Sequence, residues 1–297
     1  MRELCYAVTE EYDHTTVQTF LRRGCGVSAR LLVRLKRVEQ GITADGIHVR
    51  SIDRLRAGQK VVLKMPSDTL RVEGVEMPLS ILYEDEDVLV ADKPAGLAVH
   101  PSKGHNEPTL AAAVIAHYEK QGGQLSFRPL NRLDRNTSGL LLAAKNAHSA
   151  NLLSNRTKKE YLAIVLGRLE GEGVIEQPIR IKPGFGITRE VGEGGKYCLT
   201  RWHSLASNDR LSLLRVIIET GRTHQIRVHM SFIGHPLAGD TMYGSDTEFL
   251  SRHALHCFRL GFIHPISRIP VDLTAPIPED MASLLREQGW DEFRNLW

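Results

Sequence analysis

Near the N-terminus, apolar residues recur at helical spacing and predict two short helices. The first is predicted over residues 17–21. The second begins at Ser28, whose hydroxyl can accept a hydrogen bond from the first turn, and ends by Gly41. Its apolar stripe consists of Leu31, Leu32, Leu35 and Val38. An Asp-Gly pair at residues 45–46 then predicts a hairpin turn, and short strands are predicted around residues 47–49 and 60–63.

Further along the chain, apolar runs of strand length mix irregularly with helical patterns. Strands are predicted over residues 87–91, 140–144, 161–166 and 211–218. Helices are predicted over residues 109–121 and 146–156, and from Thr223 onward. The order lacks the regular alternation of a doubly wound fold, and no Gly-rich phosphate-binding loop is present. The pattern therefore predicts an α+β body built on a mixed or antiparallel sheet.

Composition indicates an ordinary folded protein. The chain has 297 residues, of which 42% are hydrophobic and 25% are charged. No apolar run approaches the roughly 20 residues that cross a bilayer, and the N-terminus lacks the apolar core of a signal peptide. We therefore expect a cytoplasmic protein that makes no contact with a membrane.

Positive charge is concentrated near the N-terminus. Residues 15–66 carry 11 lysines and arginines against 3 aspartates and glutamates, although the net charge of the whole chain is only +3. On the second predicted helix, Arg30, Arg34 and Arg37 lie off the apolar stripe. Such a basic face either holds a polyanion or simply faces water, and charge alone does not decide between the two.

The arrangement of two helices and a small hairpin, with the basic helix exposed, resembles the alpha-L RNA-binding fold, which is named after a ribosomal protein. The resemblance implies a small basic RNA-binding domain at residues 1–66. Residues 67–79 are predicted to be a linker, because the stretch is polar and lacks a strong pattern. Residues 80–297 then form the larger domain.

Two polar segments carry the candidate chemistry. In the first, Asp134 lies between Arg132 and Arg135 in a loop that leads into a buried strand, which is where catalytic groups are often placed. The physics of this segment alone favours a structural turn with a charge-paired aspartate. In the second, Arg222 lies at a turn before a predicted helix on which His224 and Arg227 follow at helical spacing.

A metal centre and a serine nucleophile find no support. Five histidines of the C-terminal third match no zinc-binding spacing, and no Gly-x-Ser-x-Gly segment is present. These histidines are His224, His229, His235, His253 and His256. Ordinary packing or surface polarity explains them equally well, and we expect neither a metal ion nor a cofactor.

A set of motifs in one order resembles the RluA-type pseudouridine synthases. Arg132 to Leu142 resembles their active-site motif, and Lys159 to Ala163 resembles their Lys-x-Tyr segment. The remaining matches are Val88 to Pro101, Thr220 to Gly244, and Leu255 to Pro265. Together they cover roughly residues 80–275, which makes the set far more specific than any single motif.

The resemblance implies isomerisation of uridine to pseudouridine in structured RNA, after the base is flipped out of its stack. It implies that Asp134 is catalytic, as a nucleophile or as a base. Arg222 is expected to pair with Asp134, and Tyr161 to stack on the flipped base and relay a proton. Arg132 is expected to fill the gap left in the RNA or to hold a phosphate. The remaining residues expected to bind RNA are Arg135, Lys159, Arg30, Arg34 and Arg37.

One position departs from the family pattern, since Asn131 stands where a histidine usually precedes Arg-Leu-Asp. Its effect on the loop or on RNA contact is left open. Large-subunit ribosomal RNA is the first expected target and transfer RNA the second, and a monomer is expected. Two other functions stay open: a hydrolase that releases free uracil, and a non-catalytic RNA-binding assembly factor that tolerates loss of Asp134.

Overall fold

The computed structural model describes residues 3–65, 73–101, 108–122, 126–154 and 156–295. Its N-terminal unit, residues 3–65, contains a four-stranded antiparallel sheet in the order β1-β4-β2-β3. The elements in chain order are β1 (Glu3–Ala7), a 3-10 turn (Glu10–Tyr12), α1 (Val17–Thr19), a π-helical turn (Phe20–Gly24), α2 (Ala29–Leu35), β2 (Ile42–Ala44), β3 (Ile47–His48) and β4 (Lys60–Lys64).

The second helix begins where the sequence predicts it to begin. Ser28 Oγ accepts a hydrogen bond from the amide of Leu31 at 3.1 Å, and the leucines of the apolar stripe are buried. The helix ends at Leu35, earlier than predicted, and the chain folds back so that a Cβ on Gly41 would lie 2.1 Å from the Leu35 carbonyl oxygen. Strands β3 and β4 coincide with the strands predicted around residues 47–49 and 60–63, whereas the pattern did not indicate β1 or β2.

A second, ten-stranded sheet organises the larger part of the chain. Eight strands follow the order β10-β13-β14-β9-β15-β8-β6-β5, while β16 pairs with β15 and β7 with β8. The strands are β5 (Ser80–Glu84), β6 (Val88–Lys93), β7 (Arg128–Pro129), β8 (Ser138–Ala144), β9 (Thr157–Leu166), β10 (Glu172–Glu176), β13 (Leu199–Ser207), β14 (Leu211–Ile218), β15 (Leu255–Ile263) and β16 (Pro270–Thr274). A separate hairpin pairs β11 (Ile179–Ile181) with β12 (Arg189–Val191).

The sheet is mixed, because β15 and β8 run parallel while the other strand pairs are antiparallel. Helices pack against it: α3 (Leu110–Lys120), α4 (Ala147–Leu153), α5 (Gln225–Phe232) and α6 (Glu279–Glu287), followed by a 3-10 turn (Asp291–Asn295). This architecture confirms the predicted α+β class with a mixed sheet. Among the described residues, no helix has both the length and the apolar character needed to cross a bilayer.

Strand β9 shows how the two faces of the sheet are filled. Tyr161 and Ala163 belong to one buried cluster, into which α3 and α5 also pack. Leu162 and Ile164 belong to another cluster, which is covered by α6. Because side chains alternate along a strand, this register places Tyr161 on the same face of the sheet as α5.

The N-terminal unit has its own apolar cluster, drawn from residues 4–65, to which Ile266 adds a partly buried side chain. It also contacts the larger unit beside α4: Tyr6 Oη and His148 Nε2 are 2.8 Å apart, and Asn151 Nδ2 donates to the Gly26 carbonyl at 3.2 Å. Residues 66–72 of the predicted linker region lie outside the described residues. The division into 1–66, 67–79 and 80–297 stays a prediction.

The parallel contact between β8 and β15 yields a stability prediction. Gly139 has φ +106°, and an added Cβ would meet the Cys257 carbonyl oxygen at 2.2 Å. We expect Gly139→Ala to lower the free energy of unfolding by about 3 kcal/mol or more, combining backbone strain with a steric clash. Gly171→Ala is the matched control, because φ is +80° there and nothing lies within 4 Å. It should cost only about 1 kcal/mol. Equal losses in urea denaturation would contradict the steric argument.

Candidate active site

The loop that carries Asp134 is fastened to the strand that follows it. Asn131 is buried and makes two hydrogen bonds to β8: its Nδ2 donates to the Leu140 carbonyl at 3.0 Å, and its Oδ1 accepts from the Leu142 amide at 2.8 Å. The amide side chain thus both donates and accepts along one strand edge. Asn131, which stands where the family usually has a histidine, therefore anchors the loop to β8 by hydrogen bonds.

Two buried cations hold the main chain on the other side of Asp134. Lys93 Nζ donates to three carbonyls, those of Pro94 (2.8 Å), Leu97 (2.8 Å) and Arg135 (2.9 Å). Arg252 Nη1 donates to the Asn136 carbonyl at 3.0 Å. Burial lowers the pKa of Lys93 to about 7, but donating to three carbonyls requires the protonated form of its amine. Because charged donors make stronger hydrogen bonds than neutral ones, these contacts fix the backbone that positions the carboxylate.

Asp134 itself pairs with Arg227, which projects from α5. Arg227 Nη1 lies 3.1 Å from Asp134 Oδ2, and its Nε and Nη2 donate to the two carboxylate oxygens of Asp240 at 2.7 and 2.8 Å. Burial alone would lower the pKa of Arg227, but the carboxylates of Asp240 and Asp134 raise it. One permanently charged guanidinium is therefore oriented by Asp240 and presented to Asp134.

The predicted pairing of Arg222 with Asp134 is wrong. Arg222 Nε donates to the Tyr197 carbonyl at 3.3 Å, and its amide donates to Gln225 Oε1 at 3.0 Å. The cause is local: His224 adopts a left-handed conformation, with φ 57°, and α5 begins only after it. Arg222 therefore stays on the turn, while Arg227 faces inward from the helix. The helical spacing of His224 and Arg227 is the sequence signal that indicates Arg227.

His224 makes a second approach to the carboxylate. Its Nε2 lies 3.7 Å from Asp134 Oδ2, and its Nδ1 lies 2.8 Å from Tyr243 Oη. Burial lowers the pKa of His224, although the negative charge of Asp134 acts in the opposite direction. At neutral pH the imidazole is therefore mostly uncharged, and the charge on Asp134 is balanced mainly by Arg227.

Asp134 opens into a cleft that gathers most of the predicted site residues. An inner pocket of about 340 Å³ is lined by Asp134, Arg132, Tyr161 and Arg222, with apolar walls that include Ile218. It joins a wider hollow of about 1200 Å³ that adds Lys159. The inner pocket combines a flat aromatic floor with one carboxylate, which suits a planar polar base.

Burial tunes the groups in this cleft. It raises the pKa of Tyr161 well above its usual value, an effect increased by the neighbouring Cys257 and by Asp134. The phenol therefore stays protonated and can donate a hydrogen bond, but it cannot act as a base near neutral pH. Burial also lowers the pKa of Lys159, with Cys257 acting in the opposite direction.

The other predicted RNA-binding residues lie elsewhere. Arg135 is exposed and lines a hollow on the opposite side of Asp134. Arg30, Arg34 and Arg37 lie on or just after α2 of the N-terminal unit, where Arg30 and Arg37 are exposed. Their contacts with RNA stay predictions.

One cluster in the described residues has the composition of a metal site, namely Asp85, Asp87 and His264. His264 Nδ1 accepts hydrogen bonds from the amides of Ile266 and Ser267, at 3.3 and 3.0 Å. The ring proton must then be on Nε2, which faces Asp85 Oδ2 at 2.8 Å. The nitrogen of His264 that faces Asp85 therefore carries a proton rather than a lone pair, although it makes no hydrogen bond of good geometry. A protonated ring nitrogen cannot ligate a metal, so this arrangement does not form a metal site.

Comparison with known proteins gives the class to which this fold and cleft belong. The model of the RNA pseudouridylate synthase family matches residues 87–232, which include Asp134, Tyr161 and Arg227. An RNA pseudouridine synthase of Bacillus subtilis, YjbO, is 39% identical over 274 residues, covering 89% of this chain and 96% of the relative. The chain belongs to the RNA pseudouridine synthase family, and it is an isomerase that converts uridine to pseudouridine in RNA.

Other relatives agree with this assignment. Ribosomal large subunit pseudouridine synthase D of Xylella fastidiosa is 34% identical over 280 residues, covering 86% of this chain and 84% of the relative. The structure of human RNA pseudouridylate synthase domain containing 1 is 29% identical, with a TM-score of 0.56 over 70% of this chain and 86% of that one. These matches confirm the predicted enzyme class and the predicted RNA substrate.

The assignment of the ion pair to Arg227 can be tested by two matched substitutions. Lysine keeps the positive charge but cannot contact Asp240 and Asp134 together. We expect Arg227→Lys to lower kcat by about 100-fold or more, since misplacing a catalytic group by about 1 Å has that effect. Arg222→Lys should change kcat by less than about tenfold. The measurement is tritium release from RNA labelled at uridine carbon 5, at saturating RNA. An equal loss of kcat in both variants would contradict the assignment.

Proposed function

We propose that this enzyme modifies large-subunit ribosomal RNA and that Asp134 is its catalytic residue. The support for the target is that several relatives are named ribosomal large subunit pseudouridine synthases. Transfer RNA is the second candidate target. The observation that carries the catalytic assignment is the Arg227–Asp134 ion pair in the cleft that Arg132 and Tyr161 also line. We further propose that the enzyme acts as a monomer in the cytoplasm, where bacterial ribosomal RNA is found.

In this proposal the target uridine flips out of its stack and enters the inner pocket. Asp134 acts on the sugar or the base, the bond from the sugar to ring nitrogen 1 breaks, and a new bond forms to ring carbon 5. Carbon 5 then loses its proton and nitrogen 1 gains one, so atoms balance without any donor molecule. Arg227 keeps Asp134 oriented throughout by their ion pair.

Tyr161 stacks on the flipped base, because its ring forms part of the pocket floor. Its protonated phenol can donate a hydrogen bond to the uracil edge. Arg132 is exposed at the mouth of the pocket. There it fills the space that the base leaves or holds a phosphate, while Lys159 and Arg222 contact the RNA from the wider hollow.

The N-terminal unit provides a second contact with RNA in this proposal, as an alpha-L type domain over residues 1–66. Two observations support it: a separate apolar cluster with its own sheet, and exposed arginines on and after α2. Its contacts beside α4 attach this basic surface to the larger unit. The RNA then meets one continuous protein rather than two loosely tethered parts.

The first test combines two measurements: the effect of removing the charge of Asp134, and the identification of the RNA target. Asp134→Asn should lower turnover by at least about 1000-fold, while RNA affinity changes little, because shape is preserved. Pseudouridines are mapped in total RNA from cells that lack the gene, complemented with wild type or with Asp134→Asn. A large-subunit ribosomal position restored only by the wild type is the expected result.

Three outcomes would contradict parts of this proposal. Near-normal turnover of Asp134→Asn would exclude the catalytic assignment. Missing pseudouridines only in transfer RNA would favour the second target. Release of free uracil would indicate hydrolysis in place of isomerisation.

A second test addresses the basic helix. Each phosphate contact contributes about 0.7–0.9 to the slope of log affinity against log salt. We expect Arg30→Ala combined with Arg37→Ala to weaken RNA binding and to reduce that slope by about 1–2. Arg168→Ala combined with Arg286→Ala is the control, since both arginines are exposed and pair with acidic residues of the larger unit. An unchanged slope in the first variant would show that the helix only faces water.

A further inference from the structure

The catalytic carboxylate has a second hollow on its other side. A volume of about 640 Å³ lies next to Asp134 and is lined by Arg135, His224, Arg227, Ile187 and Met242, among others. The inner pocket on the first side shares Asp134, His224 and Arg227 with it. The two spaces therefore adjoin at Asp134, His224 and Arg227, which line both of them.

Two exposed apolar side chains flank this second hollow. Ile187 is 66% exposed and Met242 is 38% exposed. A single exposed hydrophobic residue is common on any protein surface. Here two of them come from different parts of the chain, the β11–β12 hairpin and the turn after Asp240, and both line one space beside the catalytic group.

The flanks are fixed in place by the same residues that hold the active site. The amide of Arg189, two residues after Ile187, donates to Tyr243 Oη at 2.9 Å. Tyr243 follows Met242 directly, and its hydroxyl lies 2.8 Å from His224 Nδ1. The Arg227 guanidinium lies over the Tyr243 ring, 5.0 Å from its centroid. Ile187 and Met242 are therefore linked to Asp134 by a short series of contacts, which runs from Tyr243 to His224 and Arg227.

The charge around the hollow selects the kind of ligand. Arg135 is exposed at its edge. Arg227 and Arg252 also line the hollow, but both are buried and paired with Asp240 and Asp280, so Arg135 provides its exposed positive charge. Cationic edges around apolar side chains suit a nucleotide, which offers an anionic phosphate and a flat apolar base face. The established substrate is a polymer, so a uridine beside Asp134 has neighbours only one phosphodiester away. Flipping the uridine removes a stacking partner from those neighbours, and their exposed base faces gain from apolar contact.

We infer that this hollow is a subsite for a nucleotide next to the target uridine, whose base packs against Ile187 and Met242. The inference rests on the proposed placement of the target uridine at Asp134, but not on which RNA is modified. The subsite adds a contact that can distinguish one uridine from another by its neighbouring nucleotide, which the flipped base itself cannot do. Binding at the subsite is connected to Asp134 by the contacts of Tyr243 with His224 and Arg227.

The test is a cycle that combines a protein variant with a base deletion in the RNA. The probe is a synthetic stem–loop around a uridine that mapping assigns to this enzyme, made intact or with an abasic nucleotide on the 5′ or 3′ side of the target. Ile187→Ala combined with Met242→Ala should lower kcat/KM on the intact RNA by about five- to tenfold. With the abasic nucleotide on one side, wild type should lose a similar factor, and the variant should then differ from wild type by less than about twofold.

Val174→Ala combined with Ile269→Ala is the matched control. These side chains are 53% and 62% exposed and lie outside the hollow. The control should match wild type on every RNA, and all variants should keep the wild-type melting temperature because the replaced side chains are exposed.

Two results would overturn the subsite. The first is an unchanged kcat/KM for the variant on intact RNA. The second is that, on either abasic RNA, the variant still differs from wild type by the same factor in kcat/KM as on intact RNA. Failure of the proposed function is distinguishable. If mapping finds no ribosomal target, the proposed RNA is wrong, yet the cycle still runs on the RNA that mapping finds. If Asp134→Asn stays active on the stem–loop, the placement of the uridine is wrong.

Discussion

The site depends on one buried guanidinium shared between two carboxylates. Arg227 is held by both oxygens of Asp240, which is itself almost fully buried, and presents its remaining nitrogen to Asp134. A buried charge without a partner is costly, so Arg227 requires Asp240 before it can serve Asp134. Asp240 follows α5 in the chain and Asp134 precedes β8. The side chain of Arg227 therefore connects three segments of the larger unit.

The loop around Asp134 is equally constrained by its own backbone. Asn131 ties one side to β8, while the ammonium of Lys93 and the guanidinium of Arg252 hold carbonyls on the other side. Three polar side chains, each buried, are thereby used on main-chain atoms rather than on substrate. Such support is what keeps a catalytic group within a few tenths of an ångström of its working position.

In the proposed mode of binding, the cleft and the second hollow contact the RNA in two different ways. On one side of Asp134, an aromatic floor and a narrow pocket suit a single flat base. On the other, exposed Ile187 and Met242 stand among arginines, where a polymer has to continue. Arg30 and Arg37 are further cations on the separate N-terminal unit. An enzyme that flips one base out of a structured RNA needs both a pocket for that base and surfaces for its surroundings.

The sequence by itself determined the α+β class, the helix that begins at Ser28, the strands around Asp134 and Tyr161, and the enzyme family, because periodicity and a long ordered motif set are local properties of the chain. The role of Arg227 was decided only by tertiary structure. Arg222 and Arg227 stand in the same motif, and a left-handed turn at His224 selects which of them faces Asp134. Asn131 is a second example: its sequence position shows only a difference from the family pattern, whereas the structure shows that it makes two hydrogen bonds to β8. Such roles depend on which side chains a fold brings within about 3 Å, and spacing along the chain does not contain that distance.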